Sequence, residues 1–279
     1  MIAVRVTTAD GVGLALHRFE HDHAGLPPAL LVHGAFTSHR MWIREGGLAP
    51  YLASRGFDVW LADLRHHGAS DREPRPRSWH FEDLIRFDAP ALVGRVRAET
   101  GHAPAWVGHS FGGVVGLCWL ARGTPPGAVA NVVGFGTPGP TRISLVIRAL
   151  TASTAGLCEI MGRLPARALR LGPEDECARV FGDWMLWNAK GRWTGRDGFD
   201  YLAALPSVRS PYLGVAGDAD RLLAPARRCS ELVERVGATT KELLICGPRL
   251  DHVGLVLGPR APGACWPRVV AWLQRTRQS

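Results

Sequence analysis

The chain of 279 residues has 46% hydrophobic and 21% charged residues with 33 glycines and 20 prolines, a composition that excludes a collagen-like or disordered protein. Its 33 lysines and arginines against 25 aspartates and glutamates give a net charge of +8. Because the arginines are scattered and form no basic stripe with aromatic residues, we expect no nucleic-acid partner.

Strands and helices are predicted to alternate along the first half of the chain. Residues 2–7 and 12–18 alternate in hydropathy around a glycine turn, which predicts a β-hairpin. Short apolar runs predict further strands at 29–32, 58–62, 105–107 and 129–135, with helices at 41–55, 81–99 and 111–121. This alternation predicts an α/β fold with a mostly parallel sheet and helices on both faces.

The alternation stops after the Thr-Pro-Gly-Pro sequence at 137–140. Residues 141–205 contain apolar, helix-compatible segments and no predicted strand. Beyond them, the pattern predicts strands at 212–216 and 242–246 and helices at 225–236 and 262–275. We therefore predict one core formed by residues 1–140 and 206–279, interrupted by a helical cap at 141–205.

A Gly-His-Ser-Phe-Gly motif at 108–112 lies between a predicted strand and a predicted helix. In such a sharp turn the central Ser110 is strained and projects outward, and glycines two residues on either side remove side chains that would collide with neighbouring backbone. A serine hydroxyl needs a base, and that base needs a carboxylate that fixes its tautomer. The motif therefore predicts a histidine and an acid elsewhere in the chain.

Both partners follow predicted strands in the second part of the core. Asp218 and Asp220 come after the strand at 212–216, and His252 comes after the last strand. Because parallel strands end at the same edge of a sheet, we expect these groups to meet Ser110 there. Either aspartate satisfies this requirement.

The tetrahedral intermediate of acyl transfer also needs hydrogen-bond donors for its oxyanion. One candidate is the backbone N–H of Phe111, directly after the nucleophile. The other is the N–H of Ala35, with Phe36 as an alternate, because His33-Gly34 after the strand at 29–32 allows the backbone to approach closely.

Taken together, these motifs resemble those of serine hydrolases of the α/β-hydrolase superfamily. The matching pieces are His33-Gly34, the Asp-Leu-Arg-His-His-Gly-Ala-Ser sequence at 63–70, the motif around Ser110, the Gly-Asp-Ala-Asp sequence at 217–220, and His252. The resemblance implies the α/β-hydrolase fold and selects Asp220 as the acid, with Asp218 forming the turn. His66 stands where the family's Asp-x-Arg-Gly-x-Gly-x-Ser pattern has glycine.

Two finer similarities concern the substrate. Residues 56–61 and 81–88 resemble acid lipases, while residues 252–258 with the tryptophans that follow resemble polyhydroxyalkanoate synthases and depolymerases. Both groups act on hydrophobic acyl chains, and Ser110 in place of the synthases' cysteine favours hydrolysis. We expect the substrate to contact Phe36, His109, Leu145, Met161, Trp184, Met185 and Trp187.

The leading hypothesis is hydrolysis of a small-molecule or lipid-like carboxylic ester with a hydrophobic acyl group, through Ser110, His252, Asp220 and an acyl-enzyme. Thioester hydrolysis or acyl transfer by the same triad is one alternative, and a non-catalytic receptor for a small ligand is another. This chemistry needs no cofactor. The paired histidines at 21–23 and 66–67 lack companion ligands, so we expect no metal.

The remaining expectations concern cellular context. The six cysteines include no C-x-x-C pair, so we expect them to be reduced and buried. No apolar run approaches the roughly 18 residues of a membrane-spanning helix, and charged residues occupy the start of the chain where a signal peptide is apolar. These features predict a cytoplasmic protein without an integral membrane segment.

Overall fold

Eight strands of the computed structural model form one sheet, and the structure describes residues 1–19, 26–44, 46–140 and 144–276. The strands of the chain are β1 (Ile2–Thr7), β2 (Gly13–Arg18), β3 (Pro28–Val32), β4 (Asp58–Asp63), β5 (Ala105–His109), β6 (Asn131–Phe135), β7 (Arg163–Leu164), β8 (Glu176–Cys177), β9 (Tyr212–Gly217) and β10 (Lys241–Cys246). The sheet order is β1-β2-β4-β3-β5-β6-β9-β10. All neighbours in it are parallel except those of β2, which is antiparallel to β1 and β4.

Helices connect these strands. They are α1 (Leu48–Ala53), α2 (Phe81–Asp83), α3 (Ala89–Thr100), α4 (Phe111–Ala121), α5 (Leu145–Met161), α6 (Ala178–Lys190), α7 (Tyr201–Ala204), α8 (Ala226–Arg235), α9 (Gly254–Leu257), α10 (Ala261–Ala264) and α11 (Trp266–Thr276). A π-helical turn, Leu84–Asp88, joins α2 to α3, so the predicted helix at 81–99 is continuous. The predicted helix at 41–55 is shorter, because α1 begins only at Leu48.

The core lies on both faces of the sheet, as the alternation of side chains along a strand requires. On β3, Leu30 and Val32 belong to the hydrophobic cluster under α3 and α4, while Ala29 and Leu31 belong to the cluster under α1 and α11. All of β3 is buried because helices cover both faces. The predicted α/β architecture is therefore confirmed.

The segment between β6 and β9 adds no strand to this sheet within its described residues. Its long helices α5 and α6 pack against each other, and α6 also packs against α2 of the core. The strands β7 and β8 pair with each other antiparallel, which corrects the prediction that the segment has no strand. Strands of two residues are too short to produce a hydropathy period. We call residues 144–205 the insertion.

One expectation about the cysteines is wrong. Cys246 at the end of β10 and Cys265 after α10 form a disulfide, with their Cα atoms 5.4 Å apart. Packing of the last helices against the sheet brings these positions together, and sequence spacing gives no sign of it. The other four cysteines are free and buried. Within the described residues, no helix combines the length and apolar character needed to cross a membrane.

Candidate active site

Ser110 occupies the sharp turn between β5 and α4. Its φ of +49° and ψ of −114° are strained for a residue with a side chain, and its N–H donates to the Phe135 carbonyl oxygen at 2.7 Å. A β-carbon on Gly108 would lie 2.5 Å from the Gly113 backbone, and one on Gly112 would lie 2.5 Å from the His33 carbonyl oxygen. Glycine is thus required at both positions, and the turn presents a half-buried Ser110 at the carboxyl end of β5.

His252 and Asp220 form a buried pair on the loops after β10 and β9. His252 Nδ1 lies 2.7 Å from Asp220 Oδ2, and the carboxylate also accepts the N–H groups of Leu223 and Ala224, each at 3.0 Å. Burial opposes ionisation of Asp220, but the hydrogen bond with His252 and the electrostatic attraction between the two groups outweigh burial and lower the carboxyl pKa. The carboxylate therefore fixes the proton on Nδ1.

The second nitrogen of His252 is available for chemistry. Among the described residues, the structure records no hydrogen-bond partner for Nε2. An imidazole with one nitrogen held by a carboxylate and the other free is the arrangement of a general base.

Asp218, the alternative acid, has a different role. It is exposed, and its carboxylate accepts the N–H groups of Arg249 and Leu250 at 3.0 and 2.9 Å. These bonds hold the loop after β10 against the end of β9. The structure thus brings Asp220, and not Asp218, into contact with His252.

The loop after β3 lies beside the Ser110 turn. A β-carbon on Gly34 would lie 2.7 Å from Nδ1 of His109, the residue before Ser110. In the described part of the chain, no hydrogen bond is recorded for the N–H groups of Ala35 or Phe111, the two predicted oxyanion donors. The alternate donor is already engaged, because the Phe36 N–H donates to Glu176 Oε1 at 2.7 Å.

No local pattern in the sequence points to Glu176, whose carboxylate contacts the loop after β3. Its buried carboxylate also lies 3.1 Å from Nε2 of His67, whose Nδ1 lies 3.0 Å from the Arg65 carbonyl oxygen. Because both ring nitrogens of His67 face acceptors, the ring is held as an imidazolium. Burial opposes its charge, but Glu176 outweighs burial and raises the His67 pKa.

The aromatic residues predicted to contact substrate lie near the Ser110 turn. The Phe36 ring is half-buried, 5.0 Å from Phe181, and the buried Trp184 ring lies 6.3 Å from Phe111. Trp187 is also buried and Met185 is half-buried.

Three of the predicted substrate contacts are placed differently. His109 is buried with Nε2 3.2 Å from the His252 carbonyl oxygen, and burial, followed by electrostatic repulsion between the two rings, lowers the His109 pKa to about 3. Leu145 and Met161 are 79% and 49% exposed, so the structure encloses neither of them in a pocket. Both lie on α5, which buries few of its residues because it packs mainly on α6.

A second group of histidines surrounds Asp63. The ligand atoms of His17, His39 and Asp63 lie within 4.8 Å of one another, the spacing that a metal site needs. The carboxylate accepts both rings and the N–H groups of His39 and Ala69, so hydrogen bonds account for the cluster. The histidines at 21 and 23 lie outside the described residues.

The sequence matches known families over its first half. Residues 27–152 match the family described as alpha/beta hydrolase fold. The chain is 30% identical over 130 residues to triacylglycerol lipase 2 of Arabidopsis thaliana, covering 40% of this chain and 31% of the lipase. It is 30% identical over 148 residues to gastric triacylglycerol lipase of Bos taurus, covering 47% and 37%. The chain thus spans about a third of the length of these relatives.

Solved structures match over the whole chain. An esterase from Thermogutta terrifontis superposes with a TM-score of 0.69 at 18% identity, covering 99% of this chain and 100% of the esterase. An enol-lactonase from Burkholderia xenovorans superposes with a TM-score of 0.64 at 17% identity, covering 99% and 100%. At these identities the likeness establishes the fold.

Proposed function

We propose that this chain, an esterase- and lipase-like protein of the α/β-hydrolase superfamily, hydrolyses carboxylic esters with a hydrophobic acyl group through Ser110, His252 and Asp220. The observation that carries the proposal is the 2.7 Å contact between His252 Nδ1 and Asp220, with no partner for His252 Nε2 among the described residues. The His252 ring lies 4.8 Å from that of His109, the residue before the strained Ser110. The free nitrogen and the outward serine are the two groups that acyl transfer requires.

In the first half of the reaction, His252 Nε2 takes the proton of the Ser110 hydroxyl as its oxygen attacks the ester carbonyl. Asp220 stabilises the imidazolium that forms, and its own proton affinity is too low for it to take the proton. The N–H groups of Ala35 and Phe111 bind the developing oxyanion. His252 then gives the proton to the departing alkoxide, which leaves an acyl group on Ser110.

In the second half, water takes the place of the alcohol. His252 removes a proton from water, and the hydroxide attacks the acyl carbonyl held by the same two N–H groups. Collapse of this intermediate releases the carboxylic acid and returns the proton to Ser110.

The preference for a hydrophobic acyl group rests on the surroundings of the turn. Phe111 packs edge-on against Phe81 with ring centroids 4.7 Å apart, and Trp184 of the insertion contacts both rings. Apolar walls favour apolar acyl chains because burial removes apolar surface from water. The curated relatives named above are triacylglycerol lipases, which supports the same class.

Hydrolysis of p-nitrophenyl esters from acetate to laurate tests this proposal. We expect the wild type to prefer an acyl chain longer than acetate and Ser110→Ala to lose about 10³-fold or more in kcat/KM. Ser230→Ala is the matched control, because the Ser230 hydroxyl bonds to Glu234 on α8, and its activity is expected to equal wild type. Equal activity in the wild type and Ser110→Ala would refute the nucleophile.

The two alternatives have separate signatures in the same assay. An added alcohol or thiol that captures most acyl groups in preference to water would identify acyl transfer, and faster turnover of thioesters would identify a thioesterase. Tight binding of an ester without turnover would identify a receptor.

A further inference from the structure

The insertion contacts residues 33–36 after β3, which we call the oxyanion loop. It does so at both the backbone N–H and the carbonyl oxygen of Phe36. The Phe36 N–H donates to the Glu176 carboxylate at 2.7 Å, and the Phe36 carbonyl oxygen accepts the Glu174 N–H at 3.0 Å. The backbone of Gly172 approaches so closely that a β-carbon there would lie 2.5 Å from Phe36 Cβ. The insertion therefore contacts Phe36 on several sides.

Phe36 needs such support because its backbone is strained. Its φ is +66°, in the left-handed region that residues with a side chain seldom adopt. Backbone strained in this way persists only where the surroundings determine it. The Phe36 N–H belongs to the peptide between Ala35 and Phe36, so its bond to Glu176 fixes the peptide that directly follows the Ala35 α-carbon.

Glu176 and His67 form the charged pair beside Phe36. The neighbouring histidines do not replace His67 as the cation that faces Glu176. Burial first, and then the charge on His67, lowers the pKa of both His33 and His66 to about 4, so both rings are neutral at neutral pH.

A nearby acid, Glu174, has its own cation, and a nearby thiol, Cys158, is neutral. Glu174 lies 3.3 Å from Arg72 at the surface. Burial raises the pKa of the Cys158 thiol to about 11, which keeps it neutral. Loss of the His67 proton would therefore leave the buried Glu176 charge without its cation.

We propose that Glu176 is a positioning residue of the reaction, whose carboxylate clamps Phe36 so that the neighbouring Ala35 N–H is aimed at the oxyanion, with His67 holding the carboxylate in place. This inference rests on the proposed function. It makes oxyanion stabilisation depend on the insertion, because Glu176 belongs to β8 of the insertion and Ala35 belongs to the core.

Removal of the carboxylate is expected to reduce turnover more than substrate binding. Displacement of one oxyanion donor costs about 10²–10³-fold in kcat. We expect Glu176→Ala to lower kcat about 10²-fold with KM within about threefold, and to weaken an alkylboronic acid, which forms an oxyanion on Ser110, by a similar factor.

Two variants complete the design. Glu174→Ala is the matched control, because Glu174 contacts Phe36 only through its backbone N–H, and we expect kcat within about twofold of wild type. Glu176→Gln keeps an acceptor for Phe36 and is expected to stay within about fivefold. Because its amide oxygen accepts the Nε2–H of His67 whether that ring is neutral or charged, it should lack the decline in kcat that we expect of the wild type once His67 loses its proton at alkaline pH.

Titration of the active serine with a p-nitrophenyl phosphonate corrects every kcat for the fraction of folded enzyme. Labelled Glu176→Ala that keeps kcat and boronate affinity within threefold of wild type would overturn the inference. If that variant does not fold, an alkaline decline in Glu176→Gln equal to that of the wild type would overturn it instead. Failure of the proposed function is distinct, since the wild type would then not be labelled at Ser110.

Discussion

Two buried histidine–carboxylate pairs differ in the nitrogen that faces the carboxylate and in whether the second nitrogen has a partner. In His252–Asp220 the carboxylate holds Nδ1, and Nε2 has no partner recorded among the described residues. In His67–Glu176 the carboxylate faces Nε2, and Nδ1 is taken by the Arg65 carbonyl oxygen. The first ring has a nitrogen left to exchange a proton with substrate, and the second has none.

The difference shows that a carboxylate partner alone does not define a general base. A carboxylate orients a histidine in both pairs, but only a free second nitrogen permits proton transfer to a reacting group. We therefore propose that His252 carries out the proton transfer and that His67 and Glu176 support the loop that holds Ala35 and Phe36. Substitutions in each pair test the assignment.

The largest expected effect separates the two histidines. His252→Gln removes the base and should lower kcat/KM about 10⁴-fold or more. His67→Gln keeps an N–H donor toward Glu176 and should lower kcat/KM about tenfold or less. The hydrolysis of a p-nitrophenyl ester measures both, and comparable losses in the two variants would abolish the distinction.

The next effect concerns the two aspartates after β9. Asp220→Asn is expected to lower kcat about 10³–10⁴-fold, because an amide no longer fixes the His252 tautomer or stabilises its cation. Asp218→Asn replaces one of the two oxygens that accept the Arg249 and Leu250 N–H groups with an NH2 donor, so it should reduce thermal stability with kcat within about threefold. A kcat of Asp220→Asn equal to that of the wild type would show that another acid orients His252.

A smaller effect appears in stability rather than activity. The Glu176 pKa lies below its usual 4.5, because His67 and the Phe36 N–H outweigh burial, and the His67 pKa lies above its usual 6.5. Ionised Glu176 therefore stabilises the fold above about pH 4.5, and its contribution is lost as pH falls through its lowered pKa. His67 contributes fully below about pH 6.5, and its part is lost as pH rises through its raised pKa.

The pair should consequently stabilise the fold most between about pH 4.5 and 6.5. Urea unfolding of the wild type and Glu176→Gln should differ by about 1.5–3 kcal/mol in this window and by less at alkaline pH. A difference that stays constant across the window and into alkaline solution would mean that the pair is not charged as described.

The smallest effect belongs to His109. With its pKa near 3, this buried ring is neutral in the working range, and its Nε2 contacts the His252 carbonyl oxygen. His109→Gln keeps a donor there, so kcat/KM should stay within about fivefold, the equivalent of one neutral hydrogen bond. Its pH profile should match that of the wild type from about pH 5 to 9, and a shifted profile would give His109 a share in proton transfer.

Much of the fold was predictable from local pattern. The alternation of apolar runs and helical stretches predicted the eight-stranded sheet, and the motif resemblance to α/β-hydrolases and lipases is confirmed by the family and structure matches. The turn around Ser110 was predictable because its glycines avoid clashes that any side chain would make with the neighbouring backbone. The contact between Asp220 and His252 was predictable because strand ends converge at one edge of the sheet.

What the sequence did not reveal depends on long-range packing. Glu176 reaches Phe36 and His67 only once the insertion folds onto the core, and no local spacing encodes that contact. The Cys246–Cys265 disulfide has the same origin. The exposure of Leu145 was missed because hydropathy shows that a residue is apolar but not whether another element covers it.

The most direct test of the central claim is the rate at which a p-nitrophenyl phosphonate modifies Ser110, followed by mass spectrometry of the digested protein. Modification requires an activated serine and no turnover of a particular ester. We predict one adduct on Ser110 that forms about 10³-fold or more slowly in His252→Gln and within about tenfold of the wild-type rate in His67→Gln. Modification of another residue, or equal slowing in both variants, would contradict the account.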